Sequence, residues 1–148
     1  REINPEAKIL FTISPVRHIK DGFVENQVSK AQLMTALYTL LQQQDYRENT
    51  YYFPAYEIVM DELRDYRFYS EDMLHPNAVA IDYIWERFTE KVISAEAKPI
   101  LEEISGIQKS LVHRPFNPQG DAHQKFLENL SLRIQKLKNT YPHIGFDS

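Results

Sequence analysis

The stretch AKILFTI, residues 7–13, decides the fold class. A nearly continuous apolar run with β-branched and aromatic members is typical of a strand that is covered on both faces. A second, shorter strand is predicted at residues 50–53, TYYF, which Pro54 stops. Strands that are covered on both faces are characteristic of parallel sheets, so the two runs predict an α/β protein.

The residues between the two strands predict a helix from about 29 to 44. Their apolar positions have helical spacing, and Ser29 with Gln32 matches a capping box. Strand, helix and strand therefore form one βαβ unit with parallel strands and a right-handed crossover.

The rest of the chain is predicted to be helical. A short helix passes through Ile58 and Leu63, a second begins near Pro76, a third ends at Leu111, and the last covers about 121–140. Two short parallel strands cannot cover themselves. We therefore expect either further strands upstream of Arg1, or the helices and a partner chain in their place. We also expect an exposed apolar surface along Ile9, Phe11 and Ile13.

Composition excludes several classes of function. The 148 residues carry no cysteine, which removes disulfides, thiol nucleophiles and cysteine-ligated metals. The four glycines are too far apart for a known phosphate-binding loop, and a net charge of −4 without a basic stripe makes nucleic acid an unfavoured partner. No apolar stretch approaches the length of a membrane span. These features predict a soluble chain without a cofactor. The compartment is left open, with the cytoplasm favoured.

The segment Asp72-Met73-Leu74-His75-Pro76 is the strongest candidate for chemistry. A carboxylate three residues before a histidine can accept a hydrogen bond from Nδ1 and leave Nε2 free as a general base. We therefore predict that Asp72 binds His75 Nδ1 and that Nε2 faces a cleft at the carboxyl edge of the strands. The alternative is that Asp72 only caps the helix near Pro76, with His75 on the surface.

A second candidate, Ser14-Pro15-Val16-Arg17-His18, follows the first strand and should project to the same edge. Arg17 could bind an anionic or carbonyl group of a substrate, and His18 could be a second acid or base. The alternative is a turn with a solvated arginine and histidine. No metal site is predicted, because the acidic residues near Asp61 and Asp65 fit a solvated, salt-bridged face better than a cation site.

Four strings carry a resemblance to a known family. They are SPVRHIKDGFVENQVSKAQL (14–33), YYFPAYEIVMDELRDYRFYSEDMLHPN (51–77), YIWERF (83–88) and HRPFNPQGDAHQKFL (113–127). They resemble the later part of the GSCFA domain, a bacterial family related to the SGNH/GDSL hydrolases. The resemblance implies a helix-rich, partial flavodoxin-like (SGNH-type) domain with two short parallel strands over residues 1–93, and a helical tail packed on it over residues 94–148.

The resemblance also implies a function. In SGNH-type enzymes a serine near the N-terminus is the nucleophile and a late Asp-x-x-His supplies the other triad members, so Asp72 would orient and His75 would be the base. The chain has no cysteine and no Gly-Ser dipeptide, so it cannot contain the motif that names the family. We therefore expect an inactive C-terminal portion of a larger serine hydrolase, an esterase or acyl-transfer enzyme acting on a small-molecule or glycan ester, with self-association through the incomplete sheet. The alternative is a binding or structural domain that uses Arg17 and His18 for recognition.

Overall fold

The computed structural model describes residues 3, 4, 6–44 and 48–146. The chain divides into two compact units, residues 1–92 and 93–148. The first unit contains all the strands among the described residues, and the second is helical. The identity of the first unit as an SGNH-type domain stays a prediction.

The first unit is built on a parallel strand pair. Strand β1 (Ile9–Phe11) and strand β2 (Thr50–Tyr52) pair in parallel, with Ile9 opposite Thr50 and Phe11 opposite Tyr52. Helix α1 (Phe23–Gln42) connects them. The strand–helix–strand order and the parallel pairing predicted from the sequence are therefore confirmed.

Two expectations about β1 need correction. Its faces are not both covered, since Ile9 and Leu10 keep 40% and 39% of their surface exposed. The expected apolar surface is present at Ile9 but not at Ile13, which is only 6% exposed. The end of the apolar run, beyond β1, is therefore buried, whereas Ile9 and Leu10 within the strand are partly exposed.

Helix α1 begins six residues earlier than the capping pattern predicts, and Ser29 lies inside it without a capping role. The true start is Gly22, whose φ of 105° is a conformation that glycine adopts far more readily than other residues. The Asn26 amide donates to the Gly22 carbonyl and closes the first helical turn. The amphipathic pattern misses this turn because Phe23 and Val24 are both exposed.

The remainder of the first unit packs around β2. Helix α2 (Ala55–Glu57) continues into a π-helical turn (Ile58–Glu62), and helix α3 (Ala78–Val92) follows a long loop. The core consists of buried apolar residues just after β2, in and just after the π-helical turn, and in α3. The Phe53 and Phe88 rings make an edge-to-face contact, with their centres 5.2 Å apart. The buried members of the core are Phe53, Ile58, Val59, Leu63 and Ala80.

The second unit is a helix pair, α4 (Lys98–Leu111) and α5 (Asp121–Thr140). Its core is Ile107, Leu130 and Leu137, and α5 has the bounds predicted from its apolar spacing. No helix in the described part of the chain is long and apolar enough to cross a membrane.

Candidate active site

A closed loop between α2 and α3 holds the predicted aspartate and histidine. Tyr69 and Pro76 form an isolated antiparallel bridge that ties the two ends of the loop together. Inside it, the Ser70 amide donates to the His75 carbonyl at 2.8 Å, and at its base the Asn77 amide donates to the Phe68 carbonyl at 2.9 Å. The backbone of the loop is therefore fixed by its own hydrogen bonds.

Asp72 is bound on both carboxylate oxygens. Its Oδ1 accepts hydrogen bonds from the Leu74 and His75 amides, each at 2.9 Å, and its Oδ2 lies 2.5 Å from His75 Nδ1. The His75 amide, the His75 ring and then the Leu74 amide lower the pKa of Asp72 from its ordinary 3.8 to about 2. The carboxylate is therefore ionised at neutral pH, and the predicted Asp72–His75 hydrogen bond is present.

This contact assigns the protonation of the neutral imidazole. A carboxylate oxygen at hydrogen-bond distance requires the proton on Nδ1, which leaves the lone pair on Nε2. Within the described residues, no side chain or amide hydrogen-bonds Nε2. The His75 side chain is 60% exposed, so Nε2 is accessible to a reacting group.

The helix-cap interpretation of Asp72 is wrong, because a different residue caps α3. Asn77 Oδ1 accepts a hydrogen bond from the Ala80 amide at 3.1 Å, which is the N-cap contact. Its side-chain amide also donates to the Arg67 carbonyl at 2.6 Å. Asp72 turns its own carboxylate toward His75 instead.

Arg17 is brought to the same loop from the segment after β1. Its Nη2 donates to the Met73 carbonyl at 3.1 Å, and its guanidinium carbon lies 5.6 Å from the centre of the Tyr69 ring. The segment that follows β1 therefore meets the loop that precedes α3.

His18 is engaged elsewhere. Its Nδ1 lies 2.9 Å from Asp21 Oδ2, and its amide donates to Oδ1 of the buried Asn26 at 2.9 Å. The described residues thus contain two Asp–His pairs, and no hydrogen bond among them joins His18 to Asp72 or His75.

Comparison with known families shows which family the chain belongs to. A family model described as the GSCFA family matches residues 1–88, more than half of the sequence. The chain belongs to the GSCFA family. A second model, the C-terminal domain of GSCFA domain proteins, matches residues 104–148. No curated protein and no solved structure matches the chain.

The matched GSCFA region contains the whole Asp72–His75 loop and the Arg17 segment that meets it. Sequence reasoning missed the roles of two residues that shape this site, Met73 and Asn77. Asn77 carries a recognisable cap signal, an asparagine just before an apolar helical run, which the adjacent Pro76 obscured. Nothing in the local pattern indicates the contact of Arg17 with Met73, which joins residues 56 positions apart.

Two apolar grooves of the first unit lie at the strands and not at His75. The larger, of about 770 Å³, is lined by both strands and the C-terminal end of α3, with Lys8, Arg87 and Lys91 among its residues. The smaller, of about 470 Å³, is lined by Leu10, Ile81 and Trp85 among others. Neither groove includes Arg17, Asp72 or His75 in its lining.

Metal-binding groups do not converge in the described ranges, where no group of three or more histidine, aspartate or glutamate side chains could hold an ion. The acidic residues considered above pair with arginines, Asp61 with Arg64 and Asp65 with Arg67. They form the salt-bridged face that the sequence favoured.

Proposed function

We propose that this GSCFA-family chain contributes the histidine and the aspartate of a Ser-His-Asp triad in an esterase or acyl-transfer enzyme. The observation that carries the proposal is the 2.5 Å contact between Asp72 Oδ2 and His75 Nδ1, made while two backbone amides hold Oδ1. A carboxylate bound in this way orients the ring and stabilises the imidazolium that forms during catalysis.

The proposed reaction begins with proton transfer to His75. Nε2 accepts the proton of a serine hydroxyl while the serine oxygen attacks the ester carbonyl carbon, giving a tetrahedral intermediate. The imidazolium then returns this proton to the leaving alcohol as the ester C–O bond breaks. An acyl-serine remains, with His75 neutral again.

Deacylation repeats the same steps with a second nucleophile. His75 Nε2 takes a proton from water, or from an acceptor alcohol in acyl transfer, as its oxygen attacks the acyl-serine carbonyl. The proton returns to the serine oxygen when the acid or new ester leaves. We propose that the nucleophilic serine belongs to another part of the GSCFA protein, because the resemblance to SGNH-type enzymes implies a nucleophile near the N-terminus of the domain.

A non-catalytic binding domain is the second candidate. It is favoured by the exposure of the His75 ring and by the position of the larger grooves away from it. In that case the Asp72–His75 contact would only stabilise the loop. This candidate is kept because a shared fold does not establish a shared chemical activity.

Active-site labelling separates the two candidates. The GSCFA protein that contains this chain is treated with a fluorophosphonate probe, and the modified residue is found by mass spectrometry. We expect one labelled serine, with a labelling rate that falls by roughly 10²–10⁴-fold in His75→Ala, the range for loss of a general base. A folded protein with no labelled serine, or with a rate unchanged in His75→Ala, would favour the binding domain.

A further inference from the structure

Arg17 contacts the candidate site through the protein backbone, and we infer from this contact that it is a positioning residue. It holds the turn that aligns Asp72 with His75, through the Met73 carbonyl and not by touching a substrate. The inference rests on the proposed function only for its effect on turnover, since the alignment itself can be measured without a substrate.

Among the described residues, Arg17 supplies the hydrogen bond that links this turn to the rest of the first unit. All other hydrogen bonds to residues 71–75 come from within the loop, as far as the structure describes the chain. The Arg17 Nη2 donor, 3.1 Å from the Met73 carbonyl, comes from the segment that follows β1. It therefore couples the loop to the strand pair.

Met73 is the residue that needs such support. Its φ of 61° makes it the one non-glycine residue with a positive φ in the described chain, and this left-handed conformation is unfavourable for a side chain like methionine. Met73 lies between Asp72 and the two amides that bind Oδ1, so its conformation directs those amides to the carboxylate. Met73 as a whole is 53% exposed, so packing of its side chain does little to hold this conformation.

The guanidinium is itself held in place. It lies over the ring of the half-buried Tyr69, which is bridged to Pro76 at the base of the loop. No carboxylate among the residues placed by the structure forms an ion pair with Arg17. The Tyr69 ring and the Met73 carbonyl are thus the groups that fix its position.

Histidine ¹⁵N NMR of the chain tests the inference directly. At a pH where His75 is neutral, we expect the Nδ1–H tautomer to dominate in the unmodified chain. Arg17→Gln should lower the ratio of the Nδ1–H to the Nε2–H tautomer by roughly two- to tenfold, the range for loss of one hydrogen bond. Arg17→Lys, which keeps a donor for the Met73 carbonyl, should retain most of the ratio.

Two further variants control for non-specific effects. Arg64→Gln removes another exposed arginine that donates to a backbone carbonyl, that of Met60, and it should leave the His75 ratio unchanged. Met73→Gly in the Arg17→Gln background should recover part of the ratio, because glycine adopts a positive φ at little cost. If Arg17→Gln does not fold, Tyr69→Leu replaces it, with a smaller fall expected.

The inference is overturned if the tautomer ratio in Arg17→Gln, or in its Tyr69→Leu substitute, equals that of the unmodified chain, or if Arg64→Gln lowers the ratio equally. Steady-state kinetics in the active GSCFA protein then separates the two claims. A positioning role predicts a fall in kcat for Arg17→Gln, whereas a rise in KM alone would assign Arg17 to substrate binding. A tautomer shift in a protein without esterase activity would support the positioning role and contradict the proposed function.

Discussion

The lowered pKa of Asp72 gives a prediction at the scale of a single residue. Its folded pKa of about 2 lies below the ordinary 3.8, so its ionised form stabilises the fold at pH values above 3.8. That contribution is lost as the pH falls through about 2. Since Asn resembles the protonated carboxyl group, the difference in urea midpoint between the unmodified chain and Asp72→Asn should narrow over this range.

Titration of the Asp72 side-chain carboxyl group followed by ¹³C NMR measures its pKa directly, without unfolding the protein. We expect its titration midpoint near 2 in the unmodified chain. A midpoint near the ordinary value of 3.8 would show that neither the amides nor the His75 ring bind the carboxylate in solution.

The sequence predicts Asp72 and His75 because their partners are local. A three-residue spacing in a turn is enough to bring a carboxylate to Nδ1, whatever the rest of the fold does. The contact of Arg17 with Met73 could not be predicted in this way, because it depends on how two segments 56 positions apart in the sequence meet. His18 was predicted as a second acid or base of the site, and its pairing with Asp21 depends on the short helical turn that the structure places at Ile19–Asp21.

At the scale of elements, the N-cap of α3 gives a prediction with a matched control. Asn77→Ala removes the hydrogen bond to the Ala80 amide and should lower the free energy of unfolding by about 1–2 kcal/mol. Ser29→Ala, at the cap position that the sequence pattern suggested, should cause no loss, because Ser29 lies inside α1 and alanine has the higher helix propensity.

Urea unfolding of the two variants checks this pair. A loss for Ser29→Ala as large as that for Asn77→Ala would mean that α1 begins near residue 29 in solution. The sequence could not settle this point, because capping residues are also common inside helices and the glycine that begins α1 is recognisable only from its backbone conformation.

The elements whose apolar residues repeat over many turns were the best predicted. Helix α5 has 20 residues and one apolar stripe, and its predicted bounds agree with the structure. Strand β1 is only three residues long within a seven-residue apolar run. A run of that kind gives the type of element but not its length, since the extent of a strand depends on its pairing with a distant partner.

At the scale of the whole molecule, the smaller of the two apolar grooves, of about 470 Å³, predicts that the chain associates with further copies of itself. Leu10 on β1 and Ile81 on α3 line it and are 39% and 56% exposed. Burying such surface is favourable by about 25 cal/mol per Å², and a short parallel pair leaves strand edges unpaired. We expect light scattering of the 148-residue chain to show a mass above that of a 17.5 kDa monomer at high concentration.

A matched pair of substitutions tests whether copies of the chain contact one another through this groove. Ile81→Lys should shift the population to monomer, because a charge in the groove opposes burial. Leu132→Lys introduces the same charge at a similarly exposed leucine of α5, outside the groove, and should leave the mass unchanged. A monomer at every concentration in the unmodified chain would contradict the expectation.

The central proposal is that this chain supplies the Asp72–His75 pair as the base of a serine hydrolase, and turnover of a model ester tests it most directly. In the active protein that contains this chain, His75→Ala should lower kcat by roughly 10⁴–10⁶-fold while the fold is retained, as expected for loss of a triad member. His18→Ala, which removes the other carboxylate-paired histidine, should cost far less. A His75→Ala protein that is folded and turns over the ester at the unmodified rate would contradict the account.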